Sequence, residues 1–425
     1  MRKLRRAALA LGAVAVAAGA LTACGGDADS AGGTKAEDGT VTLDWEMWAG
    51  SEDEKAQLDH LAQMVTDANP KIKVNLRTAP FNDYFTKLQT EFATGEEACL
   101  VSMQSLRLAG YTDLLEPLGE HVPADGFDPA STAALNLGGK QLAMPFDLAS
   151  MLVYYNKDAF KAAGLDEPKA GWTIADFETA AKKLTTGGKS GFGMSFADLH
   201  TLSLLLSYND AAPVTDDVKL QFDEQKMIDA VTWYAGLAKD DVGSVPASAA
   251  DGGWGETQFV NGNAMMAVDG SWNIGSNISS AKFDVGVAPL PAGVGGSKTY
   301  VANSGFGVSK SCGYKDEAYQ ALQILTGPEA AQYLTDQGRS FPARTEQQPA
   351  FKEFLVAQDP DNAEAVSAAV DSITASLSTG VPLFTTKNWD EVTKNMARYL
   401  IEVYTGASTP ADALAAIQQQ GARNQ

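Results

Sequence analysis

The sequence predicts an α/β protein of more than one domain. Between residues 41 and 103, strand-like and helix-like apolar periodicities alternate in the order β-α-β-α-β, which implies a parallel sheet with helical crossovers. Residues 264–308 hold three further short apolar runs, punctuated by glycine and proline in the manner of strands between turns. The chain has 425 residues, 45% of them hydrophobic and 20% charged, which is enough material for two or more ordinary globular domains.

The N-terminus reads as a targeting segment. Met1–Arg6 is basic, Ala7–Leu21 is apolar and alanine-rich, and Leu21-Thr22-Ala23 supplies small residues before Cys24. The apolar run is too short for a membrane span, so a secretory signal over residues 1–23 is expected. Residues 24–39 are rich in Gly, Asp, Ser and Ala and read as a flexible tether. Formal net charge is −21; residues 1–23 carry four of the positives and no acid, so removal would leave −25. A field of that sign disfavours nucleic acid and anionic lipid as partners.

Val41–Trp48, VTLDWEMW, alternates Val41, Leu43, Trp45 and Met47 with polar residues as a half-buried strand does. Trp48 breaks the alternation at the carboxyl end, where open α/β sheets place their ligand crevice. Leu58, Leu61, Met64, Val65 and Ala68 follow at helical spacing and stop at Asn69-Pro70. Residues 72–76 form a second strand. Tyr84, Leu88 and Phe92 mark a second helix that ends at Gly95, and residues 99–103 form a third strand. Residues 152–157 read as a further strand. Thr173 and Asp176 make a capping-box-like pair ahead of a helix whose core stripe is Ile174, Phe177, Ala181 and Leu184. Helices are expected over 317–326 and 329–337, split by Gly327-Pro328. Another spans 388–404, where the stripe containing Trp389 reads as core. A last helix starts at Thr409-Pro410.

In residues 264–308, Ala264–Val268 reads as a buried strand that breaks at Asp269-Gly270-Ser271, with Trp272 directly after the turn. A second strand spans 283–289 and a third 305–308. A large indole just beyond a strand suits a ligand platform.

Enzyme motifs are not found. His60, His121 and His200 are scattered, and no metal-ligand spacing, HExxH or G-x-S-x-G occurs. Gly188-Lys189-Ser190 imitates the end of a phosphate-binding loop, but Lys183 stands where its first glycine belongs. No metal or cofactor is expected. A glycoside-active secreted enzyme remains the alternative class, because carboxylates are plentiful and nothing singles out a pair.

The run Phe259, Gly262, Ala264, Met266, Gly270, Ser271 and Trp272, with the following Pro-Leu-Pro and Gly305–Lys310, resembles the family 1 extracellular solute-binding proteins, the sugar-capturing subunits of ABC importers. The Leu-Thr-Ala-Cys ending resembles a bacterial lipobox, with Cys24 as the lipid-bearing residue. The resemblance implies a two-lobe, type II periplasmic-binding-protein-like fold, each lobe a sheet flanked by helices. Lobe one would take 40–147 plus 304–345, and lobe two 150–300 plus 346–425. It implies hinge closure on a carbohydrate in the cleft and delivery to ABC permease subunits by a monomer anchored to the outer face of the membrane. A polyamine or a phosphorylated polyol is the other ligand class the fold allows.

Sugars offer apolar faces to indoles and hydroxyls to carboxylates, amides and guanidinium groups. The candidate ligand residues are Trp48, Asp147, Trp254, Trp272, Asn303 and Arg344, all on strand ends or beside glycine or proline. The sequence departs from the family at Glu97-Ala98-Cys99-Leu100. Export permits oxidation, and in this family the returning strand re-enters lobe one beside the third strand, so Cys99 and Cys312 are expected to form a disulfide.

Overall fold

The computed structural model describes residues 32–360 and 363–423. Cys24 and the targeting segment lie outside the described residues. Two sheets, each flanked by helices, make two lobes.

The first sheet is organised around Val41–Trp48, whose alternate residues Val41, Leu43, Trp45 and Met47 are buried. Ile72–Ala79 runs parallel along its whole length, and Leu100–Gln104 joins in parallel at Trp45 and Glu46. The helices between them, Glu52–Ala68 and Phe81–Thr94, are the crossovers; the second ends on Gly95 in the left-handed region, at φ 76°, where a side chain would be strained. Ser304–Val308 then returns antiparallel to Leu100–Gln104, with Met144–Pro145 beyond it.

The tether reading needs correction at its end. Gly33–Lys35 pairs antiparallel with Val41–Leu43. The Gly32 carbonyl accepts from the backbone N–H groups of Asp44 and Cys99. The central strand leaves this part of its edge open, and backbone pairing there outweighs the polar, glycine-rich composition that reads as a linker.

Cys99 and Cys312 are joined by a disulfide with Cα atoms 4.8 Å apart. The Ser309 N–H donates to the Cys99 carbonyl at 2.9 Å, so the two strand ends are already in register. The bond closes a separation of 213 residues. Constraining the unfolded chain over such a loop contributes about 2–4 kcal/mol.

The second sheet is built on Ala149–Asn156, all eight residues of which are buried. Met266–Gly270, Val285–Pro289 and Thr299–Ala302 each pair with it antiparallel. Two details differ from the sequence expectation. The strand continues through Asp269 and Gly270, where a turn was expected, because Asp269 is buried and hydrogen-bonded inside the lobe. Thr299–Ala302, just after the glycine-rich loop, is a strand that local pattern does not reveal. The helix Ile174–Leu184 carries the full capping box between Thr173 and Asp176, and Thr409 caps the last helix ahead of Pro410. The chain crosses between the sheets at residues 146–148 and again at Asn303, and these crossings position the cleft.

Candidate ligand cleft between the two lobes

A cleft of about 510 Å³ opens where the strand ends of the two sheets face each other. That volume lies within the range of small-molecule sites. Trp48, Asp147, Trp272 and Asn303 all line it; Trp254 and Arg344 do not.

Trp48 stands at the end of its strand, half-buried, and is held by edge contacts from Phe81 at 5.4 Å and Tyr84 at 5.2 Å. Such packing, with Phe85 at 5.9 Å as a third neighbour, fixes the ring in the cleft wall. From the other lobe comes Trp272, which remains 37% exposed. Its ring folds back over the preceding glycine, and a Cβ on Gly270 would come within 2.3 Å of it. Only glycine permits that close approach.

Beneath Trp272 lies a charged group missed by the sequence reading. His200 meets the indole edge-on at 6.2 Å. Its Nε2 is 2.7 Å from Glu256 Oε1 and 3.5 Å from Asp269 Oδ1. Burial pulls the imidazole pKa down, but the carboxylates of Glu256 and Asp269 outweigh it and push it up to about 10. Burial opposes ionisation of Glu256 too, yet the His200 charge holds that carboxyl below the usual range. Asp269 also accepts from the side-chain amides of Asn277 at 2.7 Å and Asn273 at 3.0 Å, and from the Gly270 N–H at 2.7 Å.

Among the described residues these three are the group whose donors could surround a metal, all within 4.8 Å of one another. Two ligands on one tetrahedral zinc would sit about 3.3 Å apart, given bonds near 2.0–2.1 Å. The 2.7 Å contact and the hydrogen bonds already filling Asp269 describe an imidazolium between two carboxylates instead. The cluster thus braces the turn that presents Trp272.

Asp147 is half-buried at the first crossing. The Ser304 N–H donates to its Oδ1 at 2.5 Å. Burial raises its pKa to about 7, against the lowering effects of that bond and of Arg339. Arg339, also in the cleft wall, donates to Gln57 Oε1 at 3.2 Å and lies 4.0 Å from Glu54 Oε1. At the second crossing Asn303 donates its side-chain N–H to the Ser131 carbonyl at 2.6 Å, and its Oδ1 is buried without a hydrogen bond among the described residues.

Two candidates lie outside the cleft. Trp254 starts the helix Trp254–Val260 and donates its indole N–H to Ser244 Oγ at 3.1 Å, away from the cleft. Of its glycine neighbours, Gly255 packs against the backbone of Gly193, where a Cβ would come within 2.7 Å, and Gly253 caps the helix at φ 74°. Arg344 is absorbed by the first lobe: its Nε donates to the Thr326 carbonyl at 2.6 Å, and its guanidinium lies over Phe127 at 4.1 Å. Proximity to glycine or proline marks a loop in both cases, but not which end of the sheet the loop occupies.

The cleft therefore combines aromatic rings (Trp48, Phe81, Phe146, Trp272) with Glu54, Gln104, Arg107, Asp147, Asp198, Asn273, Asn303 and Arg339. Its cations are Arg107, Arg339 and the His200 imidazolium, and each has carboxylate neighbours: Asp198 and Asp390 for Arg107, Glu54 for Arg339, Glu256 and Asp269 for His200, so the wall offers no uncommitted positive charge.

The description "bacterial extracellular solute-binding protein" matches residues 49–332. A sn-glycerol-3-phosphate-binding periplasmic protein, UgpB, of Brucella abortus is 27% identical over 194 residues. That match spans 43% of this chain and 44% of UgpB, less than half the length of either. An ABC substrate-binding protein from Listeria monocytogenes, solved in complex with cycloalternan, superposes with a TM-score of 0.78 at 24% identity, over 89% of this chain and 97% of that one. Maltose-bound MalE3 of T. maritima superposes with a TM-score of 0.71 at 22% identity, over 89% and 98%. At these identities the solved structures show the fold, a two-lobe type II arrangement.

Proposed function

The chain belongs to the bacterial extracellular solute-binding proteins, and from that premise we propose that it captures a neutral carbohydrate between its lobes and delivers it to an ABC permease. The observation that carries this reading is the composition of the cleft: indoles at two opposite strand ends, ringed by donors and acceptors whose cations already have carboxylate partners. Indoles cover the C–H faces of a sugar, and carboxylates, amides and guanidinium groups take its hydroxyls. A phosphorylated polyol would need uncommitted cations. Arg339 lies near Glu54 and Asp147, and Arg107 is paired with Asp390. The cycloalternan and maltose complexes of the structural neighbours support the same ligand class.

The test is a thermal-shift screen of the chain lacking residues 1–31. Mono- and oligosaccharides are compared with sn-glycerol 3-phosphate and a polyamine. A ligand at 100 times its Kd stabilises the folded state by about 2.7 kcal/mol, enough to raise Tm by several degrees. A shift with a neutral sugar is expected. A shift with the phosphate ester or polyamine alone would overturn the reading.

Residues 1–23 are proposed as a lipoprotein signal, with Cys24 as the lipidated residue that holds the protein on the outer face of the membrane. Cys24→Ser is expected to move the protein from the membrane to the soluble fraction with ligand binding unchanged. Retention of the Ser variant in the membrane fraction would remove the anchor from the account.

A further inference from the structure

One rim of the cleft ties the lobes together. The segment Ser105–Tyr111 follows the first-lobe strand Leu100–Gln104 and packs on both lobes. Leu108 and Tyr111 join the first-lobe cluster around Tyr84 and Phe85, whereas Leu106, fully buried, sits in the core of the second lobe with Trp389. Between them Arg107 reaches across. Its Nε donates to Asp390 Oδ1 at 3.0 Å, and its Nη1 is 3.8 Å from Asp198 Oδ2. Its own lobe aims it: Nη1 donates to Gln104 Oε1, and the guanidinium lies 5.5 Å from the centre of the Phe85 ring.

The second lobe is arranged to receive it. Asp198 and Asp390 occupy the first turns of the helices Asp198–Asn209 and Trp389–Tyr404. The Trp389 indole N–H fixes Asp198 Oδ2 at 3.0 Å. Two helix N-termini would repel a guanidinium, and the two carboxylates reverse that sign. The Arg107 and Asp198 side chains are each 15% exposed and that of Asp390 30%, so this cluster is largely shielded from salt. Nearby, Lys387 and Asp113 pair across the same seam at 2.9 Å, but both are well exposed and add little.

We propose that Arg107 is a positioning residue for ligand capture: with Asp198 and Asp390 it forms a cross-lobe latch that raises the population of the closed form. The apparent Kd of any cleft ligand is its intrinsic Kd divided by the competent fraction, so the latch sets affinity without having to touch the ligand. This inference rests on the solute-capture reading, and its test is made without ligand so that the two can fail separately.

Spin labels on Gln63→Cys in the first lobe and Lys239→Cys in the second, both exposed positions, report the interlobe distance by pulsed dipolar spectroscopy. In sugar-free buffer, Arg107→Gln and Asp390→Asn are each expected to lower the ratio of closed to open populations about tenfold, the size of losing one charge-assisted hydrogen bond. The double variant should fall no further than either single one, because both remove the same contact. Circular dichroism checks that each variant is folded, and Asp390→Asn tests the latch from the other side if Arg107→Gln does not fold. Distance distributions identical to the unsubstituted chain in a folded variant would overturn the latch, whatever the sugar screen shows.

Discussion

Replacing Trp272 by alanine is expected to weaken carbohydrate binding about 30- to 1,000-fold, equivalent to about 2–4 kcal/mol. The ring is 37% exposed in the cleft, rests on Gly270 and is met from behind by His200. Its support is rigid, so its free face is already oriented for a ligand. Being largely outside the core, it adds little to folding, and the variant should lose under about 1 kcal/mol of stability. Calorimetric titration with the sugar found by thermal shift, beside urea denaturation of the same samples, separates the two effects. Retained affinity with a collapsed unfolding midpoint would show that the ring is a packing residue.

The second large effect lies one layer deeper. His200→Gln is expected to destabilise the fold by about 3–5 kcal/mol, because it leaves the carboxylates of Glu256 and Asp269 buried without their cation. The effect has a defined pH window. The His200 pKa is raised from 6.5 to about 10, so the folded state holds this proton more tightly than the unfolded chain. The stabilisation is fully present below pH 6.5 and is lost as pH rises through about 10. The difference between the unsubstituted chain and the variant in urea should therefore be large at pH 6 and should fade toward pH 10. A difference that stayed constant over that range would mean that His200 acts by shape alone.

These two residues also mark how far the sequence can be read. The place of Trp272 on the cleft wall was legible because its signal is local: an indole directly after a short apolar strand that ends in Gly-Ser. The same holds for the alternation of Val41–Trp48, the Thr173–Asp176 capping box and the stop at Gly95, each decided within a few residues. His200 was not legible. It stands 56 residues from Glu256 and 69 from Asp269 in the chain, on a helix so uniformly buried that no amphipathic stripe gives it a direction. Arg107 and Asp390 are separated by 283 residues and meet only because the chain crosses between lobes. Trp254 and Arg344 show the converse limit, since their loop signals were real but the loops serve helix packing and a carbonyl network. Gly33–Lys35 was misread because an open sheet edge, not composition, determined its conformation.

The central claim is that the cleft takes a neutral carbohydrate. Its most direct test is isothermal titration of the chain lacking residues 1–31 with the best neutral sugar of the screen and, separately, with sn-glycerol 3-phosphate. Saturable 1:1 binding of the sugar, lost in Trp272→Ala, with no heat from the phosphate ester, is the predicted result. Saturable binding of sn-glycerol 3-phosphate with none of the sugar would contradict it.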